Sequence, residues 1–194
     1  MAPETCGAGA AETLRVGCRQ EAQSATSTLA RMALKDLLLA EFDHEMGTTR
    51  RVLERVPEDR LTWKPHDKSM TLGGLATHLG NLPTWATAVL GEDGFDLANA
   101  PPNLEAKTSR ADILGHFDSV MRATRPLLDK SDPEYMTRWT LRRGGHEMFS
   151  MPRIAAFRSF VLNHMIHHRG QLTVYLRLND VPIPPIYGPT ADEG

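Results

Sequence analysis

Between Met32 and about Val56, the residues Leu34, Leu37, Leu38, Phe42, Thr49, Val52, Leu53 and Val56 recur at spacings of three and four. That period lays a single stripe along an α-helix, and the pattern returns three more times along the chain. Glu41, Glu45, Arg50, Arg51 and Glu54 fall largely outside the first stripe, and Pro57 ends the helix. The second helix begins near Ser69 or Thr71, either of which can cap it. It carries Leu72, Leu75, Leu79, Leu82, Trp85, Ala86 and Leu90, and Pro83 inside this pattern predicts a kink or a break. A third helix runs from about Ser109 to Leu128, with Ser109 and Asp112 approximating a capping box. Its stripe is Ile113, Phe117, Val120, Met121, Thr124 and Leu128. The fourth is the longest, with Pro152 at its first position and an end near Leu178. It is apolar on more than one face, through Ile154, Phe157, Phe160, Val161, Met165, Leu172, Tyr175 and Leu176, and is expected at the centre of the fold.

Four amphipathic helices in a chain of 194 residues imply an all-α fold, a four-helix bundle with long inter-helix loops. Residues 92–108 have turn chemistry and a Pro-Pro pair. The segment YMTRWTLRRGGHEMFSM has room for two short extended pieces around Gly144-Gly145. The end, VPIPPIYGPTADEG, holds four prolines and is expected as an extended Pro-rich C-terminal strap. Residues 1–31, rich in Ala, Gly, Ser and Thr, read as a flexible N-terminal tail, leaving 32–194 as the folded domain. Both cysteines, Cys6 and Cys18, lie in that tail, which argues against a disulfide framework or a thiolate zinc site. The chain carries 22 Lys and Arg against 24 Asp and Glu, too balanced for a broad basic surface that would hold nucleic acid. No apolar run spans a membrane, and the first residues do not read as a secretory signal. The expectation is a soluble cytoplasmic protein with neither nucleic-acid nor membrane partners.

Eight histidines are present, and several cluster in Asn163-His164-Met165-Ile166-His167-His168-Arg169-Gly170-Gln171. His164 and His168 stand four apart, so their imidazoles lie one above the other on a helix face. Two nitrogens so placed can reach one metal ion at about 2.0–2.1 Å each. They share a face with Phe157, Val161 and Tyr175 and therefore point inward. Buried imidazoles need partners for both nitrogens, and a divalent cation supplies one partner to each ring. His78, three after Leu75 and four before Leu82, is the best candidate for a third donor from a neighbouring helix. Three protein donors leave a coordination position for water or substrate, as catalytic sites do. An all-imidazole set suits Zn, Ni, Cu or Fe better than Mg or Ca. The competing reading is three core histidines satisfied by hydrogen bonds. His167 points about 100° away from the pair. His44 sits at the edge of the first stripe, as a boundary histidine, an outer hydrogen-bond partner or a fourth donor. His66, His116 and His146 read as loop or surface residues. Gln171 is placed to hydrogen-bond near the pair, and Arg169 reads as a solvated or ion-paired charge. The sequence lacks HExxH, GxGxxG, P-loop and GxSxG patterns.

Three segments carry a resemblance: MALKDLLLAEFDHEMGTTRRVLERVPEDRLTWKPHDKSMTLGGLATHLGNLPTWA, NHMIHHRGQLTVYLR and VPIPPIYGPTADE. Together the chain from about 32 to 193 resembles the DinB-like family of small bacterial proteins, whose name does not imply polymerase activity. The resemblance implies a divalent metal, commonly zinc or nickel, held by three histidines that fall on His78, His164 and His168. It also implies relatives that are thiol transferases using mycothiol or bacillithiol, and mycothiol-dependent maleylpyruvate isomerases, along with frequent homodimers. A metal-dependent transferase joining a low-molecular-weight thiol cosubstrate to a small electrophile is the leading functional expectation. A metal-dependent hydrolase on the same three histidines and a non-catalytic stress-related metal- or ligand-binding bundle are the alternatives.

Overall fold

The computed structural model describes residues 32–102 and 104–194; the expected N-terminal tail and both cysteines lie outside the described residues. The first helix, α1, spans Leu34–Leu53. α2 covers Leu72–Asn81, where the Thr71 hydroxyl accepts the Gly74 N–H at 3.0 Å, so of the two expected caps Thr71 is the one used. The strain expected at Pro83 appears as a break. α2 stops at Asn81, a 3-10 turn occupies Leu82–Thr84, and a π-helical turn follows at Thr87–Gly91. Helix α3 is Arg110–Thr124, capped by Ser109, whose hydroxyl accepts the Asp112 N–H; a 3-10 turn extends it to Leu128. A short helix, α4, spans Asp132–Met136. The last helical run comprises α5 at Arg153–Phe157, a π-helical turn at Arg158–Asn163 and α6 at His164–Leu178.

The helices share one apolar core. α3 packs on α1 and α2, and α6 packs on the same two. Phe42, Leu53, Leu75, Leu79, Phe117, Phe157 and Leu172 are all buried there. Leu37, expected on the α1 stripe, is exposed: it lies one residue off the row formed by Leu38, Phe42, Glu45, Thr49 and Val52. No described helix is long and apolar enough to cross a membrane.

The fold is mostly helical, but the all-α expectation is corrected by a three-stranded sheet of order β1-β2-β3. β2 (Arg138–Arg143) and β3 (His146–Pro152) form an antiparallel hairpin, and β1 (Gly94–Asp96) runs parallel to β2. The hairpin turns at Gly144 and Gly145, with φ of 58° and 82°, the left-handed conformations that a two-residue hairpin turn asks of both central residues. The Asp96 carboxylate accepts both glycine N–H groups, at 2.8 and 2.7 Å. Gly145→Val should therefore cost about 1–2 kcal/mol, read as a lower denaturation midpoint with an unchanged denaturant slope.

Pairing in the sheet also relocates Pro152. Expected as the first helical residue, it closes β3 opposite Arg138, and the helix starts at Arg153, whose N–H donates to the Thr137 carbonyl at 2.8 Å. Trp139, fully buried, pins the sheet to the bundle by donating its indole N–H to the Ala88 carbonyl at 3.0 Å. The Arg153 guanidinium donates to the Val89 and Glu92 carbonyls at 2.7 and 2.8 Å. The free carbonyls at the end of the π turn thus find charged or indole donors.

The C-terminal segment is extended and wraps the body, as its prolines demand. Asp192 pairs with Arg177, Glu193 with Arg55, and the Tyr187 hydroxyl reaches an inward charge pair described below.

Candidate metal centre

α2 and α6 lie side by side, and each brings histidine to the seam between them. His78 sits in the last turn of α2; His164 and His168 occupy the first two turns of α6. The three are half-buried, and one ring nitrogen from each lies within 4.8 Å of the other two. Ring centroids are 4.6 Å apart for His78 and His168, 5.6 Å for His78 and His164, and 4.8 Å for His164 and His168. The structure thus brings together the three histidines singled out from spacing.

Hydrogen bonds decide which nitrogens face the seam. His168 Nδ1 stands 2.7 Å from Gln171 Oε1. An amide oxygen only accepts, so the proton is on Nδ1 and Nε2 keeps its lone pair. His164 Nε2 stands 3.0 Å from His168 Nε2. With the His168 lone pair on Nε2, either a proton on His164 Nε2 or a shared cation joins the two nitrogens. Two nitrogens at about 2.0–2.1 Å from one ion stand roughly 2.9–3.4 Å apart for bond angles near 90–110°. The donor set and its spacing fit a divalent metal ion.

Burial keeps the three rings neutral and ready to donate. His78 is pushed down to about 4, first by desolvation and then by the neighbouring His168 and His164. His164 is lowered by desolvation, with His168 and His167 adding to it, and His168 is lowered by desolvation against the opposing Gln171 hydrogen bond. A histidine whose folded-state pKa lies below its unfolded value takes up protons on unfolding. Metal-free protein should therefore lose stability as pH falls from about 6.5 toward 4. Thermal midpoints across that window test this, and His78→Leu should flatten the decline.

The remaining histidines stay outside this group. His44, weighed as a fourth donor, is exposed on α1, and His167 is exposed although its ring lies 4.9 Å from that of His168. His66 and His146 are exposed as expected. His116, expected at the surface, is half-buried with Nε2 3.0 Å from Asn81 Oδ1. Trp85 and Tyr175 are both half-buried, and Tyr175 packs edge-on against Trp63 at 5.7 Å.

Arg169, read as a solvated or ion-paired charge, is ion-paired and buried. It is 1% exposed, and its guanidinium lies 2.6 Å from the Glu45 carboxylate, itself 6% exposed. It also donates to the Glu45 carbonyl at 3.1 Å and to the Tyr187 hydroxyl at 2.6 Å. Tyr187 returns its own proton to Glu45 at 3.0 Å. The residue following His168 is thereby tied to α1 and to the C-terminal strap. Glu45 lies three after Phe42 and four before Thr49, which was the available signal that it faces inward.

A family model described as DinB family matches residues 24–194. The YrdA protein of Bacillus subtilis (strain 168) is 25% identical over 159 residues, 81% of this chain and 90% of its own. A DinB-like protein from Bacillus cereus ATCC 10987 shares the fold with a TM-score of 0.62 at 22% identity, covering 77% of this chain and 95% of that one. The DinB-like protein YjoA of Bacillus subtilis does so with a TM-score of 0.60 at 18% identity, over 78% and 97%. With a family match across the helices that carry His78, His164 and His168, the chain belongs to the DinB family.

Proposed function

We infer that this protein is a divalent-metal-dependent enzyme that joins a low-molecular-weight thiol to a small electrophile, built on a four-helix bundle of α1, α2, α3 and the α5–α6 run. The observation that carries this reading is the convergence of three neutral imidazoles at a half-buried seam. Three protein donors suit a site that exchanges its remaining ligands. Nitrogen donors favour zinc or nickel, both of which accept sulfur. The thiol class is supported by the transferases that the sequence resembles.

A bound ion of this class lowers the pKa of a thiol, so that thiolate predominates near neutral pH. The chain's own residues do the rest of the preparation. Gln171 holds the His168 proton on Nδ1. Desolvation at His78 keeps protons from competing for its nitrogen. In the overall reaction the thiol gives its proton to solvent, a sulfur–carbon bond forms, and the electrophile's leaving group departs.

Thiol conjugation of a panel of electrophiles, with bacillithiol, mycothiol and cysteine as donors, tests this reading. Zinc- or nickel-loaded protein should conjugate at least one pair, and chelator should stop it. Conjugation that persists in chelator-treated protein contradicts the reading. Chelator-sensitive ester hydrolysis without thiol dependence would move it to the hydrolase alternative.

A further inference from the structure

The buried face of α6 is Met165, Arg169, Leu172 and Leu176, so a cation stands where the helical period calls for an apolar side chain. α1 answers it. Its inward row runs Leu38, Phe42, Glu45, Thr49 and Val52, and Glu45 is its buried charge. Beside His168, then, α6 meets α1 through hydrogen bonds in place of apolar packing. The Arg169 guanidinium lies 2.6 Å from the Glu45 carboxylate and donates to the Glu45 carbonyl at 3.1 Å, the Thr49 hydroxyl at 3.3 Å and the Tyr187 hydroxyl at 2.6 Å. The Tyr187 ring is exposed, yet it covers the guanidinium at 5.2 Å and its hydroxyl donates to Glu45. Among the described residues no buried side-chain nitrogen or oxygen lacks a partner.

Stability alone does not account for such a cluster, because a well-packed apolar pair is often as stable as a buried ion pair. Direction is what the charges add. A planar guanidinium held by several acceptors keeps one orientation. Apolar contacts slide more freely, since a gap of about 0.5–1 Å forfeits only a quarter to a half of each small well. The histidines need tighter control than that. Turning α6 by about 10° moves a side-chain tip roughly 5–6 Å from its axis by about 1 Å, whereas metal–ligand distances tolerate about 0.2 Å. His168 and Arg169 are consecutive and so stand about 100° apart around the helix. Fixing Arg169 toward α1 therefore aims His168 toward α2.

We propose that Glu45, Arg169 and Tyr187 form a positioning device that fixes the rotation of α6 and so turns His164 and His168 toward His78. Tyr187 brings the C-terminal strap into the device, which couples docking of the strap to alignment of the three rings. In giving that alignment a metal to serve, the proposal rests on the metal-dependent reading; the alignment itself is a property of the metal-free chain.

Two measurements on the full chain test it: zinc competition against a chromophoric chelator, and nuclear Overhauser contacts between the His78 and His168 rings without metal. Glu45→Leu with Arg169→Met should keep most of the wild-type thermal midpoint yet lose zinc affinity by about 10–100-fold. The contact between the His78 and His168 rings, whose centroids stand 4.6 Å apart, should weaken with it. Arg169→Lys keeps a cation opposite Glu45 but not the fork, and should lose about threefold to tenfold in zinc affinity with the fold intact. Tyr187→Ala, at an exposed position outside the apolar core, should do the same. Wild-type zinc affinity together with wild-type ring contacts in any of these variants that folds overturns the proposal. A wild-type chain that takes up no zinc, while its ring contacts still depend on Arg169, would instead remove the metal-dependent reading and keep the positioning device.

Discussion

Replacing His168 by alanine should abolish divalent-metal uptake while leaving the far-ultraviolet circular dichroism of a mostly helical protein in place. His168 contributes its Nε2 to the pair 3.0 Å from His164 and stands 4.6 Å, ring to ring, from His78. Its loss leaves two donors on different helices, which define neither a geometry nor a closed shell. The effect should exceed that of losing an outer hydrogen-bond partner of a ligand, about 10–100-fold in affinity, which is what Gln171→Leu should produce. The fold should tolerate the change because the ring is only half-buried and belongs to no part of the apolar core. Metal per chain after zinc saturation and desalting measures this directly, and full occupancy in His168→Ala would contradict the assignment.

Arg169→Met should be the most destabilising single change outside the apolar core. The substitution keeps an apolar stem but leaves the Glu45 carboxylate buried, with the Tyr187 hydroxyl as its remaining partner. Removing one member of a buried ion pair typically costs about 3–5 kcal/mol, or roughly 6–20 °C in thermal midpoint for a chain of this size. The strap should loosen as well, since Tyr187 loses the guanidinium that its hydroxyl and ring both engage. A double variant, Glu45→Leu with Arg169→Met, should recover most of the loss, because a well-packed apolar pair replaces a desolvated charge pair at little net cost. If the double variant is as unstable as Arg169→Met alone, the loss comes from packing rather than from a stranded charge.

Local chemistry made some features legible before any coordinates. The caps at Thr71 and Ser109 are decided within three residues, the Gly144-Gly145 turn by backbone sterics, and the strap by prolines that cannot continue a helix. The histidine centre was legible for a related reason. His164 and His168 share a face by helical period alone, and His78 lies on an inward stripe of the neighbouring helix. What escaped depends on partners remote in sequence. β1 has three residues and is fixed by β2 some 45 positions later. The charge of Glu45 breaks the apolar pattern although its position in the period is inward, and its partner Arg169 lies 124 residues away. The two π-helical turns leave no periodic signature.

The central claim is that His78, His164 and His168 hold one divalent ion between α2 and α6. X-ray absorption at the metal edge of zinc- or nickel-loaded protein, combined with metal stoichiometry, tests it most directly. The account predicts one ion per chain with three imidazole nitrogens at about 2.0–2.1 Å, falling to no bound ion when His78, His164 and His168 are all replaced by alanine. A protein that binds no metal, or whose bound ion keeps its imidazole shell after those replacements, would contradict it.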